Sequence, residues 1–341
     1  MSAIIRGVLR LSLIVLFVNS VYFSACRMED KLSIKLEKKF VLEGDGITNF
    51  YEPGNMAVDE EGNIYVADSG NQRVVKFNSQ GEFINNFGRE GQGPGEFQCP
   101  WQLEIYNNEI YVYDWNRNIQ KFTLDGTYLS GFNLRGGIYL DMAADSNGYI
   151  YLGRLTTLKE SFLVEKYDSE GNQILRFCKP LEPPKKPLAL VYNNSKLCID
   201  KNDNIYVAFR YINRIQKYNS AGKLIEEYER ELTYSPLKPE HTPDDEKAFI
   251  LDGVTGDIFC DRNNLLYVIS NKIWNEHGHL IEILSEDCKI LGQFYSGFLG
   301  EELPSYSELQ RGQSIYIDKN QNLYVLDTGS MKVQVFKISM Y

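Results

Sequence analysis

MAVDEEGNIYVADSGNQRVVKFNSQGEFINNFG, residues 56 to 88, decides the fold. It alternates short β-branched and aromatic runs with tight polar turns. Asn63-Ile64-Tyr65-Val66-Ala67 and Arg73-Val74-Val75-Lys76-Phe77 have strand composition. Glu61-Gly62-Asn63 and Ser79-Gln80-Gly81 have hairpin-turn composition, with Gly or Asn available for positive φ. The segment therefore reads as four antiparallel strands in a meander.

The same order of elements returns five times. It reads LEIYNNEIYVYDWNRNIQKFTLDGTYLSGF from Leu103, then DMAADSNGYIYLGRL with FLVEKYDSEGNQILRF from Asp141. LCIDKNDNIYVAFRYINRIQKYNSAGKLIEEY follows from Leu197, then a divergent fifth copy, DIFCDRNNLLYVISNK with LIEILSEDCKILGQF. SIYIDKNQNLYVLDTGSMKVQVFKI is the sixth and stops at its third strand. Each copy carries one anchoring tyrosine: Tyr65, Tyr111, Tyr151, Tyr206, Tyr267 and Tyr324. One meander cannot bury both of its faces, whereas blades stacked around an axis bury each face against a neighbour. The expectation is an all-β protein, a six-bladed β-propeller of four-stranded antiparallel blades. Lys39-Phe40-Val41-Leu42-Glu43 is the candidate for the missing outer strand of the last blade, so that the N-terminal strand closes the ring and removes two open edges.

Residues 88 to 97, GREGQGPGEF, lie between the fourth strand of the first copy and the first strand of the second. A dinucleotide-binding loop needs a helix behind it, and none is expected here. The glycines read as a crossing from the rim of one blade to the axis of the next.

GNIYVADSGNQRVVKF and GEFINNFGREGQGPGEFQCPWQLEI resemble the NHL-repeat family and the related six-bladed propeller lipoproteins of Bacteroidota type. The resemblance covers roughly residues 37 to 341. It implies the propeller fold, and it spans lyases, lactonases and pure binding modules.

The chain has 341 residues and a formal net charge of −10, which works against a phosphate backbone, so nucleic acid is not an expected partner. Arg6 and Arg10 flank the apolar stretch Leu11 to Val18, which is too short to span a bilayer. Ser24-Ala25-Cys26 follows and resembles a bacterial lipobox, with Phe23 where leucine is usual. Residues 1–25 are thus expected to be a lipoprotein signal peptide, Cys26 the lipidated residue, 26–36 a linker and 37–341 the propeller. The protein is placed in the cell envelope as an outer-membrane lipoprotein, touching the membrane only through its anchor, and as a monomer. Five cysteines remain after Cys26, an odd number that argues against a full disulfide framework.

In such a propeller the loops joining strands two and three share one face with the inter-blade connections. On that face Trp115, Arg117, Arg154, Arg210, Tyr211, Arg214 and Trp274 are the candidate ligand-binding residues, being arginines and aromatics suited to a carboxylate, sugar or peptide. Asp68, Asn71 and Arg73 read instead as bracing that belongs to the repeat. Long proline-bearing connections, residues 179–196, 229–255 and 295–313, exceed the usual length of about 12–15 residues and would wall the same face, with Tyr192, Tyr234, Phe249 and Tyr306 in them.

No catalytic constellation emerges. The amidating-lyase branch of the resemblance uses several histidines around zinc, and this chain has only His241, His277 and His279. Gluconolactonase-like propellers hold a divalent ion with acidic and Asn ligands; Asp141, Asp252 and Asp257 lie near first strands, but no spacing singles them out. No G-x-S-x-G elbow occurs. The expectation is a binding module for a glycan, peptide or partner protein, with no metal site assigned and a divalent cation as the one cofactor left open. The alternative is a lactonase- or lyase-like enzyme with an axial divalent metal.

Overall fold

The computed structural model describes residues 32–42, 49–156, 161–232, 236, 240–241, 249–250, 253–273, 279–295 and 313–341. The leader, Cys26, Trp274, His277, Tyr234, Tyr306 and Asp252 lie outside the described residues.

Among the described residues six four-stranded antiparallel sheets make up the propeller, and a two-stranded pair, Glu240–His241 with Phe249–Ile250, accompanies them. The propeller's inner strands are Met56–Val58, Pro100–Tyr106, Ile138–Ala144, Ser195–Ile199, Asp257–Cys260 and Gln313–Ile317. In blades one to five the next three strands follow in chain order outward. The sixth sheet takes its outer strand from the other end of the chain: Ile34–Leu42 pairs antiparallel with Lys332–Met340, placing Phe40 opposite Val335. That strand begins before residue 37. Phe40 and Leu42 then pack with Val333 and Val335 and reach the first blade, whose Gly81 turn has φ +85 and no room for a Cβ beneath them.

The tyrosines hold the blades in register. Tyr65 lies opposite Ala57, and the equivalent pairs are Glu104 with Tyr111, Ala143 with Tyr151, Cys198 with Tyr206, Phe259 with Tyr267 and Tyr316 with Tyr324. Five of these hydroxyls meet an aspartate six residues upstream: Asp59, Asp145, Asp200, Asp261 and Asp318. Each aspartate also accepts two backbone N–H bonds across its own turn, as Asp59 does from Glu61 and Asn63. Blade two lacks the aspartate, and Tyr111 turns to Glu109 at 3.3 Å. The hydroxyl is thus satisfied inside a hydrophobic interface, which is what makes a buried tyrosine tolerable there. In the first four blades a third-strand lysine lies over the same ring, at 5.1 Å for Lys76 over Tyr65.

The glycine stretch closes on itself. Arg89 and the Gly93 amide both bond Glu96, and Gly91 N–H donates to Phe97. Gln120, on the third strand of the next blade, accepts from Gly95 N at 2.8 Å and donates to Glu96 O at 2.7 Å. The amides of Gly91, Gly93, Gly95 and Phe97 are therefore taken by the protein itself, and the stretch serves as an inter-blade crossing. The equivalent third-strand position carries Glu165, Gln216, Glu282 and Gln334 in blades three to six, opposite Leu152, Val207, Val268 and Val325. Gln216 takes Cys178 Sγ and Glu282 takes Arg230 Nη1, so the blade-to-blade chain is clasped three times in one way.

Candidate functional site

Two positions before the residue facing each tyrosine, the inner wall carries Asn55, Gln102, Asp141, Lys196, Asp257 and Ser314. All six are polar and all are buried. They form a ring around the axis. Asn55 Nδ2 donates to Gln102 Oε1 at 2.8 Å, and Gln102 Nε2 to Leu140 O at 2.7 Å. Asp141 accepts from Leu197 N at 2.6 Å, and Asp257 from Ile315 N at 2.9 Å. Lys196 Nζ stands 3.2 Å from Asp141 and 3.5 Å from Asp257. Burial opposes the charge on Lys196, but these two carboxylates outweigh it and hold the ammonium above the ordinary lysine range.

Glu104 lies one layer below, facing the channel. Burial, reinforced by Asp141, pushes its carboxyl up to about 8, which favours the protonated form near neutral pH. Part of its surface still meets the channel, although the group sits deep in the ring. Burial also raises Asp141, against the pull of Lys196. Among the described residues no group of three or more His, Cys, Asp or Glu side chains is arranged to hold a metal ion. Asp141 and Asp257, two of the acids near first strands, meet at Lys196 instead.

The channel opens among the turns between first and second strands into a cavity of about 420 Å³. Phe259 and Tyr316 form its floor with ring centroids 4.5 Å apart. Its rim is stitched between blades. Tyr106 OH donates to Ser146 O at 2.5 Å, Ser146 Oγ to Asp203 at 2.7 Å, and Lys201 N to Asn264 at 3.3 Å. Glu60 pairs with Arg262 and stands 3.7 Å from Lys319. This mouth lies at the end of the axis opposite the face that the sequence singles out.

Of the seven residues expected to bind ligand, the six that are described have separate surroundings. Trp115 is 55% exposed and packs its ring 5.6 Å from Trp101. Arg117 is exposed at a turn with φ 65. Arg154 bonds buried Glu165 at 2.9 Å, and Arg214 pairs with Glu227 on the outer strand at 3.3 Å. Arg210 comes near the axis: its charge bears on Lys196, and its guanidinium lies 5.8 Å from the Tyr211 ring. Asp68 does brace: it accepts from Arg73 Nε at 2.8 Å, Asn71 at 2.9 Å and Tyr51 N at 2.7 Å. Sequence reasoning missed Lys196 and Glu104. Aligning the copies on their tyrosines exposes Lys196, because that alignment stacks six polar residues at one inner-strand position, and it shows Glu104 as the one charged residue among the six that face the tyrosines.

Cys99, Cys178, Cys198, Cys260 and Cys288 are all free thiols. Burial pushes Cys178 and Cys288 up to about 12, with Cys198 and Cys260 raised as well, so these sulfurs pack as small hydrophobes.

A family model described as a 6-bladed beta-propeller, DUF5128, matches residues 48–241. Among solved structures, a DUF4221 family member from Bacteroides vulgatus is 11% identical, with a TM-score of 0.58, covering 92% of this chain and 99% of that one. Virginiamycin B lyase from Staphylococcus aureus is 14% identical, with a TM-score of 0.53, covering 91% of this chain and 88% of the lyase. At these identities both likenesses speak to the fold.

Proposed function

The chain belongs to the DUF5128 family of six-bladed beta-propellers, and from that premise we propose that it is an extracytoplasmic, lipid-anchored binding module. The observation that carries this reading is the axial mouth. Its volume of about 420 Å³ lies within the range of small-molecule sites. Its floor is aromatic, and its rim mixes Glu60, Asp203, Lys201, Arg262 and Lys319. Such a wall suits a short glycan: C–H faces stack on the Phe259–Tyr316 pair while hydroxyls exchange hydrogen bonds with the charged rim. Because the rim is already bonded between blades, it loses little freedom on binding. The anchor rests on Ser24-Ala25-Cys26.

Oligosaccharide and peptide arrays test the reading. The chain is expected to retain glycans, and Arg262→Ala with Lys319→Ala is expected to weaken retention about tenfold, the loss of one charged hydrogen bond. Binding that survives both substitutions but disappears in Trp115→Ala would move the site to the loop-rich face. No retention of any probe would remove the binding reading.

Glu104 favours a second reading, an enzyme of the lyase or lactonase class. A carboxyl held protonated near pH 7 beside a second raised carboxyl is how acid–base sites are built. Lactone or ester turnover abolished by Glu104→Gln, with folding intact, would establish it.

A further inference from the structure

Away from the axis, a cavity of about 370 Å³ lies between the second and third blades, beside their outer strands Tyr128–Asn133 and Gln173–Phe177. Arg135, Arg154 and Arg176 all line it. They come from three different segments: the connection after blade two, the second strand of blade three and its outer strand. One acid faces them, Glu165, and its charge is already committed. It accepts from Arg154 Nη1 at 2.9 Å, Tyr139 OH at 2.7 Å and Tyr167 OH at 2.6 Å. The groove thus keeps two positive charges in excess, in a chain whose acids outnumber its bases 46 to 36.

Three further observations point to a missing acceptor. Arg154 Nε is buried and has no hydrogen-bond partner, a state it shares with Arg230 Nε elsewhere in the protein. Gly137, with φ +95, lies beside it, and a Cβ there would come within 3.1 Å of that nitrogen. Arg135 and Arg176 are exposed, and among the described residues neither has an ion-pair partner. Three guanidinium groups present more planar donor forks than a carboxylate has oxygens to fill, whereas a tetrahedral oxyanion has enough. We infer that this groove binds a sulfate or phosphate monoester, with the ester's organic group in the remaining volume. The site is separate from the axial mouth and stands or falls independently of it.

Calorimetric titration of the full chain in low salt with inorganic phosphate, inorganic sulfate and acetate tests this. Phosphate or sulfate is expected to bind, more weakly as sodium chloride is added, and whichever binds tighter identifies the ester. Arg135→Gln with Arg176→Gln alters only exposed side chains, so the fold should survive, which circular dichroism and melting would check. That double variant should lose at least about tenfold in affinity. Arg154→Lys, which keeps a cation for Glu165 but removes the buried N–H, should also bind more weakly. The inference is overturned if wild type binds neither dianion at millimolar concentration, if acetate binds as well as they do, or if either variant binds like wild type.

Discussion

Lys196 Nζ and Asp141 Oδ1 stand 3.2 Å apart across the boundary between blades four and three, both side chains buried. With Asp257 at 3.5 Å on the far side, one cation joins the inner strands of three consecutive blades. Removing one partner of a buried pair leaves uncompensated charge, at a cost of about 3–5 kcal/mol. Lys196→Met should therefore lower unfolding free energy by that order in a urea titration. Adding Asp141→Asn and Asp257→Asn should recover part of it. If Lys196→Met melts like wild type, the ring is not held by this cation.

Glu104 makes stability depend on pH. Its ordinary value is 4.5 and the folded protein holds it at about 8. Between those values the native state keeps a proton that the unfolded chain releases, so raising pH favours unfolding. Stability should fall across that window, by at most about 1.4 kcal/mol per pH unit from this group. Glu104→Gln should flatten the profile of melting temperature against pH. A variant that keeps the full wild-type slope would assign the effect to other groups.

Removing residues 1–42 strips the outer strand from the sixth blade. Phe40 and Leu42 leave the core, and the edge of Lys332–Met340 is uncovered. Burying side chains of this size contributes roughly 1.5–3 kcal/mol each, and an open edge invites pairing between copies. The truncated chain should melt earlier and elute as higher oligomers by light scattering. A monomer of unchanged stability would contradict the closure.

Gln120→Leu keeps the volume but leaves Gly95 N–H and Glu96 C=O without their partner. The expected loss is about 1–3 kcal/mol, with faster proteolysis between residues 88 and 97. Equal protease resistance in the variant would show that Arg89 and Glu96 hold the crossing alone.

The propeller was legible because its signal is local and repeated. Tyrosine anchors, glycine turns and β-branched runs depend only on neighbours along the chain, so six copies announce six blades. Even the bracing role of Asp68 follows from residues within the same turn, Asn71 and Arg73. Arg154 and Arg214 look alike in sequence, as arginines beside the loops that join second and third strands. Their partners, Glu165 and Glu227, sit on later strands, and nothing along the chain ties them together.

The sequence by itself determined the number of blades, the strand order within each and the character of the glycine stretch, since hydrogen-bonded meanders and turns are set over short distances. Only the tertiary structure decided which polar residues meet at the axis, that Lys196 is shared between two carboxylates, and that three arginines face one groove. Those groupings arise where separate blades converge, and their charges act through space between residues tens of positions apart.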